Sequence, residues 1–321
     1  MRRIRLYYKI KPLLPFRLRM TARRLAAKRT RRLAEKTWPI HPESAVPPNG
    51  WPGWPEGKKF AFVVTHDVER REGLANCPHL IKMEMAAGIR SSYNFVPEGD
   101  YRVPKELREQ LAKDGFEVGI HDLHHDGKLY ESREVFAQKA ARINEYVREW
   151  GAKGFRSAFM HHNLEWLHDL NVQYDASTFD VDPFEPQPDG AHTIFPFWVS
   201  RATKGAGVSD TRHLKPKGLN GKAAGYYELP YTLTQDSTMF FVLGEKSIEV
   251  WQKKLDWVAE QGGMALINVH PDYMAFDGNK PTHKEYPAEH FKNLLDYVNA
   301  RYHGKFWNPL PTELCDYLSR S

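Results

Sequence analysis

Three short stretches of this 321-residue chain carry side chains suited to metal or acid–base chemistry: Thr65-His66-Asp67-Val68-Glu69, His121-Asp122-Leu123-His124-His125-Asp126 and Asn268-Val269-His270-Pro271-Asp272. His121 and His125 lie four apart, so one helical turn would bring both imidazoles to one face. That offers two nitrogens to a divalent ion at about 2.1 Å. His124 would point elsewhere, and a lone histidine pair can also be structural. Asp67 and Glu69 are two apart and share one side of an extended segment. One carboxylate can bind the ion while the other acts as a base; the plainer reading is a strand end paired with Arg70 and Arg71. His270 follows an apolar run and suits a general acid, or else a histidine bonded to backbone.

These residues need elements to bring them together. Residues 60–65 are a short apolar run bounded by turn signals, as expected of a buried parallel strand. Strands are expected at 91–95, 116–120, 154–159, around 172–174 and at 264–269, and helices at 104–113, 132–150, 163–170 and 247–261. Gly151 ends one helix, and Gly262-Gly263 stop another. Alternating strands and helices argue for a parallel sheet or barrel, whose sites lie at the carboxyl ends of strands. All three chemical stretches sit there. No repeat of fixed period is visible.

Over roughly residues 58–320 the chain resembles the polysaccharide deacetylases of carbohydrate esterase family 4, the NodB-homology fold. Five family motifs can be laid on it in order. Thr-Phe-Asp-Asp-Gly corresponds to Thr65 through Glu69, and His-(Ser/Thr)-x-x-His to His121 through His125. Arg-x-Pro-Tyr corresponds to Arg156-Ser157-Ala158-Phe159, and Leu-x-x-His to Ile267 through His270. The fourth motif, an Asp with an aromatic, is laid on Tyr174-Asp175-Ala176-Ser177 and the stretch from Phe179 to Trp198. Val68 stands where the family has its metal-binding Asp, and the closest likeness is to a divergent His-Asp-Val-(Asp/Glu) subgroup.

The resemblance implies an α/β, deformed (β/α) barrel that removes N-acetyl groups from a sugar or surface-glycan intermediate. It implies a divalent metal, zinc first, with cobalt, nickel or manganese as alternatives. His121, His125 and Glu69 are the expected ligands, with the roles of Asp67 and Glu69 interchangeable at this stage. Asp67 is the expected base, kept ionised by Arg156, and His270 the acid. Phe159, through its backbone N–H, with Asp175 and Trp198, is expected to meet the substrate. Phe179, Phe184 and Phe197 are further candidates for stacking on sugar rings. The proline-rich run 180–190 is expected to wall the barrel mouth, its four acids suiting an amine-bearing product. Two other readings stay open: a hydrolase of another C–N bond in a small molecule, and an inactive glycan-binding homologue.

Charge divides the chain differently. Residues 1–40 hold 14 Lys or Arg and one acid, which leaves 32 bases and 39 acids in the rest, so a +13 arm precedes a −7 body. Residues 1–37 are expected to form a basic arm, helical over 16–36, and 38–57 a Pro/Trp-rich linker to a catalytic domain at 58–321. The arm suits peripheral contact with an anionic membrane, although a solvated tail or a face docked on the acidic body reads equally well. No specific nucleic acid is expected. No apolar run fits a signal peptide or a transmembrane helix, which places the expected enzyme in the cytoplasm, at the inner membrane face. Cys77 and Cys315 stand far apart, excluding a disulfide scaffold and a zinc–thiolate module.

Overall fold

The computed structural model describes residues 16–201, 213–214, 225–276 and 278–321, with side chains from residue 21 onward. The segments 202–212 and 215–224 and residues 1–15 of the arm lie outside the described residues.

The central strand is β1, Phe60–Val68, buried along its whole length. Its residues alternate as a strand must. Phe60, Phe62, Val64 and Val68 enter the core between sheet and helices. Ala61 and Val63 enter a second cluster inside the curl of the sheet. Thr65 and Asp67 continue that inner row towards the carboxyl end.

Parallel to β1 run β2 (Ser91–Phe95), β3 (Glu117–His121), β4 (Gly154–Arg156) and β5 (Tyr174–Asp175), each pairing with the one before. Strand β6 is Phe197–Ser200 and β7 is Gly225–Glu228; β7 lies parallel to β5, with β6 antiparallel on its far side. Strand β8, Met264–Val269, flanks β1 on the opposite edge. Single parallel bridges Phe179↔Tyr231 and Leu233↔Ile267 carry the chain beyond β7 back to β8. The sheet thus curls into a deformed barrel. The short strands β9 (Met274–Ala275) and β10 (Tyr286–Pro287) form a separate pair, and β11 (Phe306–Trp307) pairs with the start of β1.

Helix α1 is Phe16–Leu33 and belongs to the arm. Around the sheet run α2 (Arg71–Ala87), α3 (Lys105–Lys113), α4 (Arg133–Trp150), α5 (Glu249–Gln261), α6 (Glu289–Tyr302) and α7 (Pro311–Arg320). Ser132 caps α4, its hydroxyl accepting from the Val135 N–H, and Gly151 ends it in the left-handed region. Between β7 and α5 the chain makes a π-helical stretch, Ser237–Leu243.

Two expected elements are shorter in the structure. The strand expected over 154–159 ends at Arg156, because Phe159 adopts φ 58°, ψ 20°, which no strand tolerates. The helix expected at 163–170 is a single 3-10 turn, Trp166–Asp169. The linker carries only two short 3-10 turns, and Trp38 and Trp54 are buried while Trp51 is half-buried, so the tryptophans fasten it to the body.

Candidate active site

The carboxyl ends of β1, β2, β3, β4 and β8 converge on one group of ionisable side chains. Asp67 is the last inward residue of β1. Its Oδ1 accepts from Asn94 Nδ2 of β2 at 3.0 Å, and its Oδ2 from Asn268 Nδ2 of β8 at 2.8 Å. Arg156 of β4 places Nη1 3.6 Å from Oδ1, too long for a hydrogen bond but close enough for charge. That arginine is anchored by bonds to Ala176 O and Thr65 Oγ1. Burial alone would raise the Asp67 carboxyl; His121, Arg156 and His270, helped by Asn94, outweigh it and hold the group at about 2. Asp67 is therefore ionised.

Glu69 lies just beyond β1. Its Oε2 accepts from Tyr273 Oη at 2.6 Å, and its Oε1 stands 3.1 Å from His125 Nε2. Burial works against its charge, but His125 first, then His270 and the tyrosine hydroxyl, keep it well below the ordinary carboxylate range. Val68 between them faces the opposite way, into the outer core. Glu69 thus reaches the cluster from the next residue, and no carboxylate is needed at position 68.

His121 ends β3. Its Nδ1 lies 3.1 Å from the Arg156 carbonyl, which fixes the ring and leaves Nε2 buried with no hydrogen-bond partner. His125 does not follow by helical spacing, as expected from the four-residue step. The segment after β3 is a loop in which Asp122 (φ 56°) and His125 (φ 52°) take left-handed conformations, bringing the rings to 5.0 Å between centroids. Asp122 stabilises the turn by accepting from Leu123 N. His125 Nε2 has no aligned hydrogen bond either, its approach to Glu69 being a charge contact. His124 is exposed and turns towards Glu98.

Glu69, His121 and His125 form the one group among the described residues whose ligand atoms all lie within 4.8 Å of one another. A carboxylate oxygen, the buried Nε2 of His121 without a hydrogen-bond partner, the Nε2 of His125 facing that carboxylate, and a ring held by a backbone carbonyl fit a divalent ion of the zinc class. Burial pushes His121 down, towards the neutral form a ligand needs. His125 is lowered by burial but raised more by Glu69.

His270 stands immediately beyond β8. Its Nδ1 lies 2.6 Å from Asp236 Oδ1, and its own N–H donates to Asp236 Oδ2 at 2.7 Å. Its Nε2 faces the cluster, 4.0 Å from Asp67 Oδ2 and 3.8 Å from Glu69 Oε1. Burial would lower the imidazole, but Asp236 first, then Glu69 and Asp67, push it up to about 10. Sequence reasoning missed Asp236. Four donors converge on it, from Ser237 N, Tyr286 Oη and both groups of His270. Asn94 was missed as well. Its strand reads Ser-Ser-Tyr-Asn-Phe, so one more polar residue does not stand out there.

Phe159 lies beside the cluster, its ring 4.8 Å from that of His125. Asp175 is placed elsewhere. It is wholly buried, accepts from Ser177 N and Oγ, and shares charge with Glu228. Trp198 is buried against Tyr227 at 5.0 Å, in the cluster with Tyr174, Leu314 and Leu318. Neither is brought to the ionisable group. Phe179 and Phe197 are buried too, and Phe184 packs edge-on against Trp38. Large aromatics more often fill cores than stack on ligands, and these do.

Loop 180–190 does run beside the site, but its acids are mostly turned inward. Asp180 pairs with Lys254 at 2.5 Å. Tyr231 Oη stands 2.9 Å from Asp182 Oδ2 and 2.7 Å from Glu185 Oε1, and Glu185 accepts from Gln235 Nε2. Gln235 Oε1 in turn accepts from Asn268, the residue that holds Asp67.

Comparison with solved structures bears on the fold. A proposed polysaccharide deacetylase from Mycobacterium smegmatis is similar to this chain at TM-score 0.58 and 15% identity, covering 84% of this chain and 94% of that one. A 4-alpha-glucanotransferase from Thermococcus litoralis (0.49, 12% identity, 81% of this chain and 40% of that one) and the peptidoglycan deacetylase PdaC from Bacillus subtilis (0.45, 12%, 83% and 94%) are more distant. No family model and no curated protein matches. The fold is the deformed barrel of polysaccharide deacetylases, as the sequence resemblance implied.

Proposed function

We propose that this chain is a metal-dependent hydrolase that removes N-acetyl groups from a sugar or surface-glycan intermediate. The observation that carries the proposal is the pairing of Asp67, held by two amide donors, with His270, held by Asp236. They stand 4.0 Å apart, beside the Glu69, His121 and His125 ligand set. A base and an acid with pKa values pushed to opposite sides of neutrality can act in one cycle.

Glu69, His121 and His125 would hold the divalent ion, zinc first. Bound there, it would supply Lewis acidity towards the acetyl carbonyl and ease ionisation of the attacking water. Asp67 takes the proton that water loses as its oxygen bonds to the carbonyl carbon. Asn94, Asn268 and Arg156 hold Asp67 in place for that task. The backbone N–H of Phe159 is assigned to the oxyanion. His270 then gives its Nε2 proton to the nitrogen as the C–N bond breaks, leaving acetate and a free amine. Asp236 stabilises the charged imidazole until it does so.

Asp175 and Trp198 have no part in this reading. A carbohydrate is the partner it requires, and peripheral contact of residues 1–37 with an anionic membrane belongs to the same proposal. Among the described residues no helix is long and apolar enough to cross a membrane.

A panel of N-acetylated oligosaccharides, O-acetylated oligosaccharides and small acyl amides tests the assignment by acetate release. Release from the N-acetylated sugars, lost in Asp67→Asn and His125→Ala, is expected. Turnover of small amides alone would make the protein a hydrolase of a different C–N bond, and none with any metal would make it inactive.

A further inference from the structure

Among the described residues, helix α1 meets the catalytic body through Arg24, Ala27 and Arg31. Arg24 Nε donates to Phe241 O at 2.9 Å, Arg31 pairs with Glu245 at 2.5 Å and lies over the Trp38 ring at 5.4 Å, and Ala27 between them is buried. Positions 24, 27 and 31 form a single stripe at helical spacing. The body it meets is the π-helical stretch that directly follows Asp236, the partner of His270. Trp38, just past the helix, packs on Phe184 of the loop beside the site. Among the described residues, the opposite face of the helix is turned away from these contacts.

That opposite face holds Leu25, Lys28, Arg29, Arg32 and Leu33, all exposed, with Leu25 64% and Leu33 78% accessible. The two leucines are among the few large apolar side chains left exposed among the described residues. Lys28, Arg29 and Arg32 form no ion pair with any described residue. Exposed leucines beside cations, on a helix of low overall hydrophobicity, supply the two kinds of group with which a helix binds a lipid headgroup layer. The cations supply attraction to anionic headgroups, and the leucines reach the acyl boundary. A nucleic-acid surface would use the cations and have no use for the leucines. The −7 body would be repelled by an anionic surface, so the arm also sets which side approaches.

We propose that the face of α1 formed by Leu25, Lys28, Arg29, Arg32 and Leu33 docks on an anionic lipid surface. This rests on the peripheral contact proposed above and assigns it to one face. Because the helix is clamped beside Asp236 and the wall loop, docking holds the catalytic mouth at the lipid. That arrangement suits an acetylated saccharide carried on a membrane lipid.

Vesicle co-sedimentation of the full chain tests this independently of any activity. Wild-type protein is expected to bind phosphatidylglycerol-containing vesicles and not pure phosphatidylcholine. The pair Leu25→Asp and Leu33→Asp should weaken that binding by about tenfold or more. Arg29→Ala with Arg32→Ala should weaken it comparably. Circular dichroism and acetate release from a soluble oligosaccharide should be unchanged in both, since none of the four residues touches the site. Equal binding to neutral vesicles, or anionic binding indifferent to the leucines, would overturn the proposal. So would tighter binding to duplex DNA that the leucine variants leave intact. Failure of the deacetylase reading would leave the vesicle result untouched.

Discussion

At the scale of single residues the site divides labour by environment. Asp67 and Glu69 are both carboxylates two positions apart, yet Asp67 is held by two amide donors and Glu69 faces the histidines. Replacing Asp67 by Asn keeps its shape and removes its basicity. Acetate release should fall about a hundred- to ten-thousand-fold with the bound ion retained, read by turnover and metal content together. Glu69→Gln should instead release the ion. Asp236 acts through His270: burial lowers that imidazole, and Asp236 is the first of the groups that push it up. In Asp236→Asn the imidazole loses its proton at lower pH, so the alkaline limb of the rate profile should move towards acid. A profile unchanged at its alkaline limb would remove His270 from the acid role. Asp67, Glu69, His121, His125 and His270 were legible because chemistry-bearing residues recurred at strand ends. Asp236 was not, since it acts from 34 residues upstream and its neighbours carry no strand signal. The fourth family motif was laid on Asp175 instead, and the geometry brings Asp236, not Asp175, to the site.

Elements explain why the site holds its shape. Asp272, in the turn that follows β8, accepts from the N–H groups of Glu69 and Arg70 and so ties the end of β1 to the start of α2. Gly73 leaves the room this needs, because a Cβ there would lie 2.2 Å from the Asp272 carboxylate. Gly73→Ala should cost about 1–3 kcal/mol in urea unfolding, the cost of overpacking, and shift the Glu69 backbone. Lys254 is the buried partner of Asp180 at the base of the wall loop. Lys254→Met leaves that carboxylate uncompensated and should cost about 3–5 kcal/mol by the same measurement. The βα alternation was readable from apolar runs and glycine stops. The turns were not: the left-handed residues Asp122, His125 and Phe159 that gather the site are non-glycine, and their strain leaves no mark in sequence. The aromatics misled for a related reason, since composition cannot tell a core face from a ligand face, and Trp198 went to the core.

For the whole molecule, the net charge of +6 conceals two parts of opposite sign, and in the described part of the basic one Arg24 and Arg31 bond to the acidic one. In the described part of the arm Arg31 meets Glu245, a contact that leaves no mark in sequence because each residue is ordinary in its own segment. A bound ion should stabilise the entire chain, because its ligands come from the end of β1, the end of β3 and the loop after it. At about one hundred times its dissociation constant, zinc should add about 2.7 kcal/mol to unfolding, and a chelator should take it away. The most direct test of the account is acetate release from an N-acetylated oligosaccharide by chelator-treated protein titrated with zinc. The account predicts no release without the ion, full release at one ion per chain, and none at any concentration in Glu69→Gln. Release that persists in the chelated protein, or that Glu69→Gln leaves intact, would contradict it.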